Sequence, residues 1–219
     1  MSMFTYFDAR PKDEMRITAE EKQRTRDRIL KTGRALFRER GFDATTTRDV
    51  AEAAGIATGT LFNYFPNKEA LAMELLDEGL VAGERRFRRL LRGGESLEEE
   101  LFAHVAAELR ELKPSRTFAG PVFETAFSPF GRSDLARAGE EARVRHLECV
   151  GEILVRHGVA RDAGSVAFHL YWTLYLGVLA FWSTDASRRQ EDTLAVLDQS
   201  MRLFVGGLDE TNVPPRGSR

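Results

Sequence analysis

Apolar residues in this chain recur at intervals of three and four, and no stretch of useful length alternates apolar with polar. A period near 3.6 commits a chain to helices that each bury one side, and leaves nothing from which to build a sheet. The punctuation agrees. Thr18-Ala-Glu-Glu21, Ser96-Leu-Glu-Glu99 and Ser187-Arg-Arg-Gln190 have the form of capping boxes, in which hydroxyl and side-chain oxygen satisfy each other's orphan N–H groups. Gly41, Gly93-Gly94 and Gly158 stand where helices stop. The expected helices run from Thr18 to Arg40, from Thr46 or Thr47 to before Gly55, from near Thr58 to before Pro66, from a cap at Asn67 to about Leu91, from Ser96 to about Leu112, and from Ser133 to His157. Pro114, Pro121 and Pro129 predict a short, irregular helix between the last two. Asp162 opens another helix, and Ser187 begins the last. The fold class is all-α with about nine helices, and residues 1–17 and 209–219 read as flexible tails.

At 219 residues the chain makes one large or two small domains, long enough to bury a core. With 42% apolar and 30% charged residues, disordered and low-complexity architectures are excluded. The net charge of −2 hides an asymmetry. Between Lys22 and Arg48, nine basic residues against three acidic ones give +6, so the rest of the chain carries −8. A basic end on an acidic body points to an anionic partner at that end. The single cysteine, Cys149, excludes an intrachain disulfide and suits a reducing cytoplasm, and residues 1–17 hold no apolar run of a signal peptide. The 22 uncharged residues from Ala163 to Thr184 are long enough to span a bilayer, but they hold His169, Tyr171, Thr173 and Tyr175, so a fully buried helix and no membrane are expected.

The segment Thr47–Phe65, TRDVAEAAGIATGTLFNYF, carries the functional signal. Val50, Ala51 and Ala54 form the inner face of one short helix, and Leu61 and Phe65 that of the next. Gly55 lies between them, where a tight turn favours a residue tolerant of positive φ, and Ile56 plugs the corner. Two short helices about such a turn make a helix-turn-helix, whose second helix fits a major groove. An αα-corner inside a bundle has the same periodicity, and only the neighbouring basic helix and polar residues favour DNA.

The longer segment Gly41–Leu71, GFDATTTRDVAEAAGIATGTLFNYFPNKEAL, resembles the DNA-binding segment of the tetracycline-repressor (TetR/AcrR-like) family. It shares the Gly-aromatic after the first helix, the Thr-rich entry, Ala-Gly at the turn, Gly-Thr-Leu-aromatic, and Phe-Pro-x-Lys-Glu-x-Leu. The resemblance covers about residues 20–75. It implies an N-terminal three-helix helix-turn-helix domain (18–66) joined by a long helix to a helical ligand-binding and dimerisation domain (67–208). It further implies a homodimeric regulator, usually a repressor, that binds a palindromic operator on double-stranded DNA and is released by a small-molecule effector. By the same resemblance Arg48 reads a base, Thr47 and Thr60 meet phosphate oxygens, and Tyr64 and Lys68 grip phosphate. Thr46, Thr58, Gly59, Phe62 and Asn63 complete the expected DNA face. Two positions depart from the pattern: Ala57 replaces the serine before the second short helix, so the cap is expected to shift to Thr58, and Phe62 replaces a tyrosine.

Ten of the 21 aromatics lie between Phe118 and Trp182. Such enrichment beside a proline-broken helix suits an apolar pocket, expected to be lined by Phe118, Phe123, Phe127, Phe130, His146, Phe168, Tyr171, Trp172 and Tyr175. In the last helix Leu194, Leu197, Met201, Phe204 and Leu208 follow a 3-4-3-4 spacing, the seam of a packed helix pair. With the uncharged helix it is expected to form a four-helix bundle across a two-fold axis. Enzymatic chemistry is not expected: there is no Gly-x-Ser-x-Gly elbow and no phosphate loop, and Cys149 has no evident triad. His146-Leu-Glu-Cys149 puts two zinc-ligand types on one helical face, short of the four a closed site needs. No metal and no cofactor is expected. A ligand-independent or activating regulator of the same fold, and more remotely a helical interaction protein, are the alternatives.

Overall fold

Local signals start and stop most of the helices where the sequence places them. A computed structural model describes residues 18–128, 134–159 and 164–211. Among these residues there are nine α-helices, two 3-10 turns and no strand. The helices are α1 (Ala19–Arg40), α2 (Thr47–Ala53), α3 (Thr58–Phe62), α4 (Lys68–Leu90), α5 (Leu97–Leu112), α6 (Arg116–Ala126), α7 (Asp134–Arg156), α8 (Gly164–Thr184) and α9 (Glu191–Thr211). Thr18 with Glu21 and Ser96 with Glu99 form complete capping boxes, and Thr46 with Asp49 adds one that the sequence reading missed. Asn67 caps α4 by accepting from the Ala70 amide at 2.7 Å. The expected tail residues 1–17 and 212–219, the α8 opener Asp162, Pro129 and Phe130 lie outside the described residues. α9 itself runs on through 209–211.

The third expected capping box does not form. Ser187 makes no such bond to Gln190, and Arg189 and Gln190 instead adopt positive φ, +56° and +62°. The start of α9 is held by Asp185, whose carboxylate accepts from the Thr193 amide and hydroxyl and from the Ser187 amide, while Ser187 Oγ accepts from the Asp192 amide. A carboxylate that reaches two turns of chain outcompetes the local box. Pro121 likewise does not break its helix: it sits inside a continuous α6, and Pro114 occupies the 3-10 turn that precedes it.

α4 is the spine. Its first half packs on α1, where Gly33 leaves room for the Leu71 side chain, 2.7 Å from where a Cβ would stand. Its second half packs along α5 and α7. Gly83 lets the α5 backbone approach so closely that a Cβ there would lie 2.5 Å from Glu108 Cα. α6 closes on α7 in the same way at Gly139, and α8 and α9 pair with each other.

This packing corrects two expectations. Leu197, Met201, Phe204 and Leu208 are buried within the protomer, so the 3-4 seam of α9 chiefly faces its own core, with Phe204 and Leu208 also reaching the floor of a groove between α8 and α9; Leu194 is 41% exposed. Nor is α8 fully buried. It is long and apolar enough to cross a membrane by length and composition alone. Its Tyr171, Trp172, Tyr175, Val178 and Trp182 point inward, while Val166, Leu170 and Phe181 remain exposed. A helix apolar all round gives no sequence signal as to which side meets its own core.

Candidate nucleic-acid interface

The end of the molecule formed by α1, α2 and α3 has its own small core. Ile29, Phe37, Val50, Ala51, Leu61 and Phe65 are buried there, each on a face that helical spacing assigns inward. Gly55 turns the chain between α2 and α3 at φ +66°, a conformation costly for a residue with a Cβ. The Ile56 amide donates back to the Ala51 carbonyl at 3.0 Å, which closes the turn. α3 begins at Thr58 with Ala57 in the cap position and no side-chain cap bond, so the cap does not shift to Thr58. An uncapped helix start leaves amide N–H groups available to an acceptor from outside.

Residues expected to meet DNA separate into three groups. Arg48, Gly59, Phe62 and Asn63 are exposed, with Phe62 at 48%. Arg48 makes no ion pair with any described residue. Thr47, Thr58, Thr60 and Tyr64 are half-buried, and Tyr64 packs against the core. Thr46 and Lys68 are committed to the fold. The Thr46 hydroxyl donates to Asp49 Oδ2 at 2.6 Å while accepting from the Asp49 amide. The Thr46 hydroxyl and the Thr46 amide, both donating to the Asp49 carboxylate, hold it below its ordinary range. The Lys68 ammonium donates to the carbonyls of Phe42 (2.9 Å), Thr45 (3.3 Å) and Asp43 (3.4 Å), and lies 4.4 Å from the centre of the Phe42 ring. It staples the loop that enters α2, a role different from the expected grip on phosphate.

The basic stripe of α1 is also partly neutralised. Arg24, Arg26, Arg34 and Arg40 pair with Glu20, Glu74, Glu78 and Asp49, whereas Lys22, Arg28, Lys31 and Arg38 stay exposed.

Behind this end, the expected pocket residues divide as well. Phe118 is fully buried and packs on Phe37 of α1 (ring centroids 5.2 Å) and stacks near Phe42 (6.3 Å). It is a joint between α6 and the helix-turn-helix end, not a pocket wall. Phe123 and Phe127 stack at 5.0 Å and line a groove of about 430 Å³ between α6 and α8, with Leu176, Leu179, Ala180 and Ser183 opposite. This groove lies further along α8 than the Phe168–Tyr175 face expected from the sequence. Phe168 is half-buried, and a Cβ on Gly151 of α7 would touch its ring.

His146, Tyr171, Trp172 and Tyr175 are instead packed solid. The His146 ring lies 4.0 Å from Tyr175, 5.6 Å from Tyr171 and 5.8 Å from Trp172. At their centre sits Glu108, which the sequence reading missed. Its Oε1 lies 2.9 Å from His146 Nδ1, and its Oε2 accepts from the Tyr175 hydroxyl at 2.9 Å. Burial opposes the charged carboxylate, but the facing imidazoles and these bonds outweigh it and hold Glu108 below its ordinary range. His104, one turn before it on α5, is fully buried, and burial pushes its imidazole down to about 4. The i, i+4 spacing of His104 and Glu108 was the available signal, but their meeting with α7 depends on tertiary packing.

Comparisons with known proteins agree with this geometry. The profile of bacterial regulatory proteins of the tetR family matches residues 29–75, which run from the middle of α1 to the first turns of α4. Over 66 residues the chain is 38% identical to the HTH-type transcriptional repressor KstR2 of Mycolicibacterium smegmatis, covering 30% of this chain and 32% of that protein. The match therefore spans about a third of that relative's length. Among solved structures, the chain resembles Thermus thermophilus FadR, a TetR-family transcriptional repressor in complex with lauroyl-CoA. That likeness has a TM-score of 0.68 at 29% identity, covering 88% of this chain and all of the other. Bacillus subtilis FadR in complex with stearoyl-CoA shares the fold, with a TM-score of 0.60 at 18% identity over 83% of this chain and 98% of that one. Residues 29–75 thus match the tetR family of bacterial regulatory proteins, and the helical body behind them shares the fold of solved TetR-family regulators.

Proposed function

We propose that this chain is a cytoplasmic, homodimeric transcriptional repressor that holds a palindromic operator through α3 and releases it on binding a fatty acyl-CoA. The observation that carries the reading is the α2–α3 pair itself. It is a self-cored unit whose outward face presents Arg48, Phe62 and Asn63, with the open N-terminus of α3 beside them. Guanidinium geometry suits the O6 and N7 of guanine, and the Phe62 ring suits a thymine methyl. Thr47 and Thr60 reach phosphate oxygens, and Lys22, Arg28, Lys31 and Arg38 supply the salt-dependent attraction. Lys68 acts one step back, by fixing the loop that positions α2.

The α6–α8 groove and the likeness to Thermus thermophilus FadR point to the effector class. An apolar trough of about 430 Å³ between α6 and α8 suits an acyl chain. α6 lines that trough with Phe123 and Phe127 and, one turn earlier, plugs Phe118 into the reading end. A ligand that separates α6 from α8 therefore shifts Phe118 and the α1 helix it packs on. In a dimer, this changes the spacing of the two α3 helices that the operator demands.

Footprinting on DNA upstream of the protein's own gene tests the reading. The expected result is a protected palindrome that lauroyl-CoA abolishes. Arg48→Ala is expected to cost about 1–3 kcal/mol on that site and little on random DNA. Equal weakening on both would make Arg48 a phosphate contact, and no protection would remove the operator from the reading.

A further inference from the structure

The buried cluster of His104, Glu108 and His146 plays no part in reading DNA, and it does not line the α6–α8 groove. Its donor atoms, one nitrogen from each histidine and one carboxylate oxygen, lie within 4.8 Å of one another. All three residues are buried, at 0–6% exposure. Glu108 Oε1 is 2.9 Å from His146 Nδ1 and 3.8 Å from His104 Nε2. Ligands held about 2.0–2.1 Å from a tetrahedral ion stand roughly 3.3 Å apart, so the two separations straddle the required value.

The far atom of each ligand is already tied. His146 Nε2 lies 3.1 Å from the Tyr171 hydroxyl, Glu108 Oε2 accepts from Tyr175, and His104 Nδ1 lies 3.9 Å from Cys149 Sγ. Such outer partners fix the tautomer and aim of metal ligands. The near atom of His104 is the exception that matters. Its Nε2 is buried and has no hydrogen-bond partner among the described residues. A pure hydrogen-bond network would leave this polar atom orphaned, at a cost comparable to a lost hydrogen bond. A cation at the point shared with Glu108 Oε1 and His146 Nδ1 satisfies it.

We propose that His104 Nε2, Glu108 Oε1 and His146 Nδ1 form a binding site for one first-row divalent metal ion of the zinc type, clamping α5 to α7. Two imidazoles and one carboxylate favour zinc, cobalt or nickel over magnesium or calcium, which take oxygen shells. The closest pair, Glu108 and His146, must part by a few tenths of an ångström, which side-chain torsions absorb.

The test uses the full-length protein, stripped with chelator and titrated with Zn²⁺ and, separately, with Co²⁺. The expected result is one ion retained per chain through gel filtration, a raised melting temperature, and visible Co²⁺ absorption of the tetrahedral kind. His104→Gln is expected to abolish retention, and Tyr171→Phe to weaken binding about 10–100-fold. His169→Gln, an exposed histidine outside the cluster, serves as the control and is expected to bind as wild type. No Co²⁺ absorption by the wild-type protein would overturn the site, whether or not the variants fold. So would retention lost in His169→Gln but kept in folded His104→Gln.

Discussion

The ammonium of Lys68 faces three carbonyls of the 42–45 loop, and that orientation decides what the residue does. Charge-assisted bonds of this kind contribute about 1.5–3 kcal/mol. Lys68→Met is therefore expected to lower the stability of the reading end by that order, measured by urea unfolding. It should leave the salt dependence of DNA binding nearly unchanged. A phosphate grip gives the opposite pattern, an unchanged stability and a salt slope reduced by about one per subunit. Cys149 is a second residue whose chemistry is set by its surroundings. Burial pushes its thiol up to about 12, against the pull of Arg88. With so high a value, only about one thiol in ten thousand is ionised at pH 8, and the thiolate is the reactive form. The folded protein is expected to resist iodoacetamide at pH 8 and to react stoichiometrically once denatured; mass spectrometry of the two samples distinguishes them. Rapid labelling of the native form would mean that the α5–α7 contact opens readily.

Helix starts and stops were legible wherever the signal was local. Thr18 with Glu21, Ser96 with Glu99, Asn67 and Gly158 each act within one turn, and each does so in the structure. The core face of the helix-turn-helix was legible for the same reason: Val50, Ala51, Leu61 and Phe65 follow one period. What failed needed partners outside the signal's own turn, most of them far along the chain. Ser187 lost its box to Asp185, and Phe118 went to α1 and not to a pocket. Glu108 met His146 across 38 residues of sequence. The α4–α5 crossing belongs to the same class. Nothing local marks Gly83 as different from any helical glycine, yet a Cβ there would stand 2.5 Å from Glu108 Cα and 2.9 Å from its amide nitrogen. Gly→Ala in an open helix gains about 1 kcal/mol of propensity. Here the collision is with backbone, which cannot swing aside, so Gly83→Ala is expected to destabilise by about 1–3 kcal/mol. Chemical denaturation measures it, with Gly59→Ala as a control, since nothing lies within 4 Å of a Cβ there. A stabilised Gly83→Ala would mean that α4 and α5 are free to move apart.

At the scale of the whole molecule, the question left by the buried α9 seam is which surface joins two protomers. The proposed repressor needs a dimer, because two half-sites are read by two α3 helices. One strip meets the physical requirement. Val166 (66% exposed), Leu170 (55%) and Leu203 (68%) stand together on α8 and α9, around an apolar groove of about 240 Å³ lined also by Leu174, Phe204 and Gly207. A chain that folds with these side chains in water gains from covering them, and self-association covers the strip twice over. Replacing Leu170 and Leu203 together by Glu puts four like charges into the two-fold contact. Each position is exposed in the protomer, so the fold should change by only about 0.5 kcal/mol per site. Sedimentation is expected to show monomers with native helical content, and operator affinity should collapse because each half-site is then held alone. Met201→Asp with Phe204→Asp is the informative contrast. Those side chains are 1% and 4% exposed, so their loss is expected to unfold the α8–α9 pair and not merely to separate protomers. A folded, dimeric Leu170→Glu/Leu203→Glu protein would move the dimer contact away from this strip.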